Sequence, residues 1–334
     1  MFTPTVQIWD LTVERQLAKD LVLSVGYVGS QSYHTNTTLN TNAAPPEVCQ
    51  NPQGCRSGGV LPANQTAIVP QGTLYMPANV VNGVNLTTRP NRYVSYTQSW
   101  FGLGTASYHA MNVSVLKRAA RGLTFKANYS FSKALDLNSA ILAPSGENEP
   151  TNLVSGVYNR RLNKGVAAYN PAHQFNTNFS YQLPFGNGQR FGSGASGLVN
   201  RLIGGWQWNG ILTAQTGFPF TPLIGFNNSG TGDGTQPTDI ADRNPNFKGP
   251  VILGTVEHWF DPRAFSMPIA GTFGNAGRSS LRGPGLFNVD TSLFKRIPLR
   301  ESVTLQFRAE VFNLLNRANL AYPNFVVFQG NSAN

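Results

Sequence analysis

Across residues 122–133 the chain reads GLTFKANYSFSK, in which Leu123, Phe125, Ala127, Tyr129 and Phe131 alternate without a miss with Thr124, Lys126, Asn128, Ser130 and Ser132. Successive side chains of a strand point to opposite faces, so the segment predicts a strand with one apolar and one polar face. The pattern recurs. Residues 6–17 set Trp9, Leu11 and Val13 against Asp10, Thr12, Glu14 and Gln16, and residues 21–33 set Leu21, Leu23, Val25 and Tyr27 against Ser24 and Gly26. Residues 108–118 place Met111, Val113 and Val115 opposite Asn112 and Ser114. In 173–183, Phe175, Phe179, Tyr181 and Leu183 alternate with Gln174, Asn176, Asn178, Ser180 and Gln182. Residues 205–215 set Trp206, Trp208, Leu212 and Ala214 against Gln207, Asn209, Thr213 and Gln215. A last hairpin covers 286–296 and 302–313, with Val303, Leu305, Phe307, Ala309 and Val311 opposite Thr304, Gln306, Arg308 and Glu310.

The connections between these eight segments alternate in length. Those at 18–20, 119–122, 184–204 and 297–300 are the shorter ones. Those at 34–107, 136–171 and 216–285 are long and rich in Pro, Gly, Asn and Thr, with 93–100 reading as a further strand outside the main pattern. Antiparallel strands then carry short turns at one end and long loops at the other, the division that outer-membrane barrels keep between periplasm and exterior. The expected fold is all-β: an antiparallel transmembrane β-barrel of outer-membrane type, a partial barrel of about eight strands with long extracellular loops. The apolar faces would meet lipid and the polar faces a lumen. Lumen-facing candidates are Asp10, Glu14, Lys126, Asn128, Asp290, Arg308 and Glu310; aromatic-girdle candidates are Tyr181, Phe185, Trp206, Trp208 and Phe294. A soluble glycan-binding β-sandwich is the competing reading of the same alternation.

Composition favours the membrane. Only 12% of the residues are charged, against about 25% in a usual soluble domain. The net charge of +10 is scattered, with one tight run at Lys117, Arg118 and Arg121, so no nucleic-acid partner is expected. No apolar run approaches the ~18 residues of a spanning helix, and residues near Met1 lack the features of a signal peptide.

Cys49 and Cys55, in CQNPQGC, are expected to form a disulfide in an oxidising compartment, with free thiols or a metal site as alternatives. GSGASG at 192–197 has the spacing of a dinucleotide loop but lies in a connection between amphipathic strands, so it reads as a turn. Asp233, Asp239 and Asp242 lack the dense spacing of a calcium loop and read as solvated carboxylates. His34, His109, His173 and His258 read as ordinary polar positions. No serine sits in a nucleophile elbow and no acids are paired for acid–base work, so neither enzyme activity nor a cofactor is expected.

Several pieces together resemble the TonB-dependent receptor-like barrels of the Oar-like type: VQIWDLTVERQLAKDLVLSVGYVGS, HQFNTNFSYQLPFGNGQRFG, IGGWQWNGILTAQTGFPFT and FNVDTSLFKRIPLRESVTLQFRAEVFNLLNRANL among them. The resemblance implies that residues 1–334 are the C-terminal portion of one large outer-membrane barrel domain of about 22 strands, without the plug, the TonB-contacting segment or the signal peptide. It implies location in a Gram-negative-type outer membrane and uptake of an unknown solute. Its partners would be membrane lipid and, for the parent protein, the TonB energy-coupling complex. An adhesion or surface-structure protein using the barrel as a loop platform is the alternative.

Overall fold

The computed structural model describes residues 3–42, 45–58, 67–81, 84–86, 90–91, 93–94, 97–120, 122–139, 160–226, 228–229, 239–300 and 302–328. Eight strands form one antiparallel wall: β1 (Thr5–Ala18), β2 (Leu21–Asn40), β3 (Gln98–Ala120), β4 (Leu123–Asp136), β5 (His173–Gln182), β6 (Trp206–Gln215), β7 (Leu286–Arg300) and β8 (Val303–Val311). Each pairs with its neighbours in sequence, and the short strand Gly165–Val166 adds to the upper end of β4. Among the described residues nothing pairs with the outer edges of β1 and β8, and no second large sheet packs on the wall. The sandwich reading therefore fails.

Register carries the two faces across the whole wall. One row runs Leu11, Tyr27, Met111, Phe131 and His173; the next runs Thr12, Gly26, Asn112, Ser130, Gln174 and Gln215. A slip of one residue anywhere would swap the faces, and none intervenes between these rows. The apolar rows lie on the outward face and the amide and hydroxyl rows on the inward one. Leu11 is 69% exposed and Phe307 56%, so among the described residues no protein covers these apolar side chains, as suits a lipid-facing surface.

Strand length separates two parts of the wall. β5 and β6 have ten residues each; at ~3.3 Å per residue and a tilt near 40° they rise about 25 Å, the height of the apolar band of an outer-membrane barrel. β2 and β3 have 20 and 23 residues, which at the same rise and tilt gives about 50–58 Å. They stand well clear of the membrane on the long-loop side. The alternation predicted them only to Tyr33 and from Tyr108. It breaks because His34 takes a positive φ of 55° and the register shifts on either side of Thr35, which takes the polar run beyond it out of phase.

The described parts of the long connections are folded, although their sequence reads as loop. Pro219–Phe220 pairs with Leu281–Arg282, Asp242–Arg243 with Phe265–Ser266, and Leu223–Ile224 runs parallel to Val326–Phe328. Strands of two residues have no period to detect. Between them lies the main apolar core: Phe220, Leu223, Ile224, Ile240, Phe260, Phe265 and Leu281, all buried, with Trp259, Phe325 and Phe328 against it. WFDPRAF supplies part of it through a tight turn, in which Asp261 accepts from the Arg263 backbone N–H at 2.9 Å and Pro262–Ala264 forms one turn of 3-10 helix. Phe260 and Phe265 are thereby brought 5.9 Å apart, edge to face. The first long connection joins this body through Met76 N–H to Gly271 O at 2.8 Å, and its Cys49 and Cys55 form a disulfide beside Val69 and Tyr75.

One buried arginine ties this cap to the wall. Arg278 pairs with the Asp136 carboxylate at the top of β4 and donates to the carbonyls of Asn163 (2.6 Å) and Asp136 (2.7 Å). Asp239, expected to be solvated, is 3% exposed and accepts from the Ser229 N–H and hydroxyl. Asp242 accepts from Asn275 N–H; burial raises its pKa. Asp233 and Arg121 lie outside the described residues. At the opposite end of the wall, the 183–205 connection contains a short helix, α1 (Gly197–Ile203), where the glycine-rich run reads as turn.

Candidate functional site

The inward face of β1–β5 is concave and encloses about 470 Å³. Its lining comes mainly from two register rows, Thr12, Gly26, Asn112, Ser130 and Gln174, and below them Ser24, Ser114, Asn128 and Asn176, with Val28, Tyr108, Val113 and Tyr129 completing it. Apart from Gly26 the two rows are hydroxyls and carboxamides, and no charged side chain lines the hollow. Adjacent strands lie about 4.8 Å apart, so the rows present neutral donors and acceptors at that interval, and Asn128 Nδ2 donates to Asn176 Oδ1 at 3.0 Å. Gly26 keeps the floor open: a Cβ there would stand 2.8 Å from Thr12 Oγ1. Such a surface can bind a neutral polar molecule by hydrogen bonds. Among the described residues no group of three His, Cys, Asp or Glu is placed to hold a metal ion.

The charged lumen candidates are distributed around this hollow. Asp10 and Glu14 flank Thr12 on the β1 edge, opposite Val28 and Ser24. Lys126 occupies a lower row with Asn178, Ile211 and Asp290, an inward position for Ile211 that breaks the β6 alternation. Asp290 and Glu310 border a second hollow of about 200 Å³ with Asn178, Asn209 and Ser292. There Asp290 accepts from the Asn313 N–H and from Asn288 Nδ2, both at 2.8 Å. Arg308 lies over the Phe294 ring at 4.6 Å. Phe294, expected in the girdle, is instead in register with Gln207 and Arg308, on the inward face. Its bulk suits lipid, but its position in β7 has the parity of Asp290 and Ser292.

The other girdle candidates cluster at the turn end. Tyr181 faces Trp208 across β5 and β6, and the Trp208 indole donates to Thr291 Oγ1 at 2.7 Å. The Trp206 indole donates to Leu202 O at 2.9 Å beneath Lys295, whose ammonium lies 4.9 Å from the ring. Phe185 packs on Phe191 within the connection, 5.7 Å between centroids. The sequence reading missed a second girdle toward the long-loop side. There Tyr27 and His109 are hydrogen-bonded at 2.7 Å, and Tyr129 and His173 at 2.8 Å, with Trp9 and Phe131 beside the imidazoles. Both histidines stand on the outward face. Pairing each with a tyrosine across the strands was visible only once register was known.

Above the hollow sits the cap, held by Arg278 and by Arg282, which donates to Asn170 O at 3.3 Å and Gly217 O at 3.1 Å. Burial lowers the pKa of Arg282. Neither arginine belongs to a periodic pattern, so sequence alone had no means of singling them out.

The family model described as outer membrane beta barrel domain matches residues 1–334. Among solved structures, the outer membrane transporter YddB from Escherichia coli is similar at 10% identity, with a TM-score of 0.44, over 95% of this chain. The chain spans 29% of that transporter's chain. No curated protein matches it.

Proposed function

Since the chain belongs to the outer membrane beta barrel domain family, we propose that the whole protein is a TonB-dependent receptor of the Oar-like type. Residues 1–334 would be the C-terminal portion of its barrel, taking a solute across the outer membrane by binding and passage rather than catalysis. The carrying observation is the neutral polar hollow on the inward face beneath a folded cap anchored to the same wall. The cap captures solute at the exterior, the amide and hydroxyl rows hold it, and TonB-driven movement of a plug opens the way. The free edges of β1 and β8 support a larger barrel. Among the described residues these edges are unpaired, and lipid cannot satisfy their backbone donors and acceptors, which supports closure by further strands.

Deleting the gene and, separately, inactivating TonB tests this, with growth read on a panel of oligosaccharides, peptides and chelated metals as limiting nutrients. Loss of growth on the same nutrient in both strains is expected. Growth unchanged in both, with surface attachment lost in the gene deletion alone, would replace transport by adhesion. The cap's own apolar core favours that second reading, because a loop body that folds around itself suits a display platform.

A further inference from the structure

We infer that the 183–205 connection is a lipid-binding foot, with α1 lying in the headgroup layer of the periplasmic leaflet. At 100° per residue, Leu198, Leu202, Val199 and Ile203 span an arc of about 140° on α1, and Asn200 and Arg201 occupy the opposite side. Leu198, Val199 and Leu202 are 75%, 56% and 71% exposed. Ile203 turns inward over Gly192, while Asn200 Oδ1 accepts from the Asn187 N–H at 2.7 Å and so faces the body of the connection. The helix therefore holds Asn200 against its own loop and leaves three large apolar side chains uncovered.

Its place relative to the wall identifies what covers them. Trp206 and Lys295 are both on the outward face, and both donate to carbonyls at the C-terminal end of α1, Trp206 to Leu202 O and Lys295 to Leu202 O and Gly204 O. The helix end is thus fastened to the lipid side of the wall, continuous with the girdle of Tyr181 and Trp208. Residues 183–205 include Arg190 and Arg201 and no carboxylate, which matches an anionic phospholipid surface. An amphipathic segment with these features lies in the plane of the interface.

The test uses the whole protein in vesicles of phosphatidylethanolamine and phosphatidylglycerol, with heat-modifiable migration checking the fold of each variant. Cys49 and Cys55 are bonded to each other, so within residues 1–334 a new cysteine takes a thiol-reactive fluorophore alone, and any cysteine elsewhere in the whole protein is first replaced by serine. Leu198→Cys and Leu202→Cys give two independent reads; Leu212→Cys, on the outward wall, is the lipid-facing standard, and Gln189→Cys the control within the connection. Blue-shifted emission and quenching by brominated lipid at 198 and 202, as at 212 but not at 189, are expected. Water-like emission at 198 and 202 with 212 quenched would overturn the inference while leaving the barrel in the membrane. Failure of quenching at 212 would remove the membrane placement and the foot with it.

Discussion

The wall and the cap bury opposite things. In the wall the large apolar side chains point outward and stay uncovered, Leu11, Val13, Leu305 and Phe307 each more than half exposed. In the cap Phe220, Leu223 and Ile224 are at most 1% exposed. Both obey the same transfer of apolar surface out of water, but the wall completes it with lipid and the cap with itself. The cap should therefore be damaged by cavities and the wall by charge.

The largest expected effect breaks the cap alone. Phe220→Ala, at the centre of the core, should cost about 3–5 kcal/mol. Proteolysis within 216–285 should accelerate while heat-modifiable migration, which reports the wall, stays normal. Concerted loss of both would show that cap and wall fold as one unit. Next comes the joint between them. Arg278→Met leaves the buried Asp136 carboxylate without its cation, a change that costs about 3–5 kcal/mol when a buried pair is broken. The lower end is expected here because the Ser139 hydroxyl still donates to Asp136 at 2.7 Å. The cap should detach without unfolding, so that a protease nicks it as an intact body.

The same contrast decides how much of the molecule was legible in sequence. Wall strands were readable because a bilayer and a wet lumen impose period two on every residue between them, as in 122–133. Where that demand ends, so did the reading: β2 beyond Tyr33 and β3 before Tyr108 stand outside the membrane, and a bulge at His34 puts them out of phase. Phe294 was misplaced by residue type although its parity in β7 was correct for the lumen. Ile211 is the converse case, apolar yet inward. In the cap, order comes from long-range contacts such as Arg278 to Asp136 and Leu223 to Val326, which no local pattern announces. The hollow was half visible: Asn128 was named, but Ser24, Gly26 and Gln174 join it only through register.

A charge on the wall is the next smaller perturbation. Leu212→Arg, near the middle of β6 on the outward face, should destabilise by about 2 kcal/mol or slightly more, since an arginine at the bilayer midplane costs about 2–4. Thr213→Arg, one residue on and facing the lumen, should be nearly neutral. The pair is read as urea midpoints of refolding into vesicles. Equal midpoints would contradict the assignment of faces, and the cap's protease protection should follow neither variant.

The smallest effect is a pH dependence confined to the cap, where Asp261 and Asp242 act with opposite sign. Asp261 has a lowered pKa, chiefly through the Arg263 side-chain hydrogen bonds and then its backbone N–H. Its folded pKa lies below its unfolded one, so its stabilisation is complete above about pH 4 and is lost as pH falls through the folded value. Burial raises the pKa of Asp242. Its contribution is therefore complete below about pH 4 and is lost as pH rises through the raised value. Protease protection of the cap should climb with pH to a shallow maximum just above that point and then ease. Asp261→Asn should flatten the acid limb and Asp242→Asn the other, since an asparagine Oδ1 at 242 still accepts from Asn275 N–H. An acid limb that survives Asp261→Asn would mean that the acid sensitivity of the cap arises elsewhere, and that the turn in WFDPRAF holds Phe260 and Phe265 without its carboxylate.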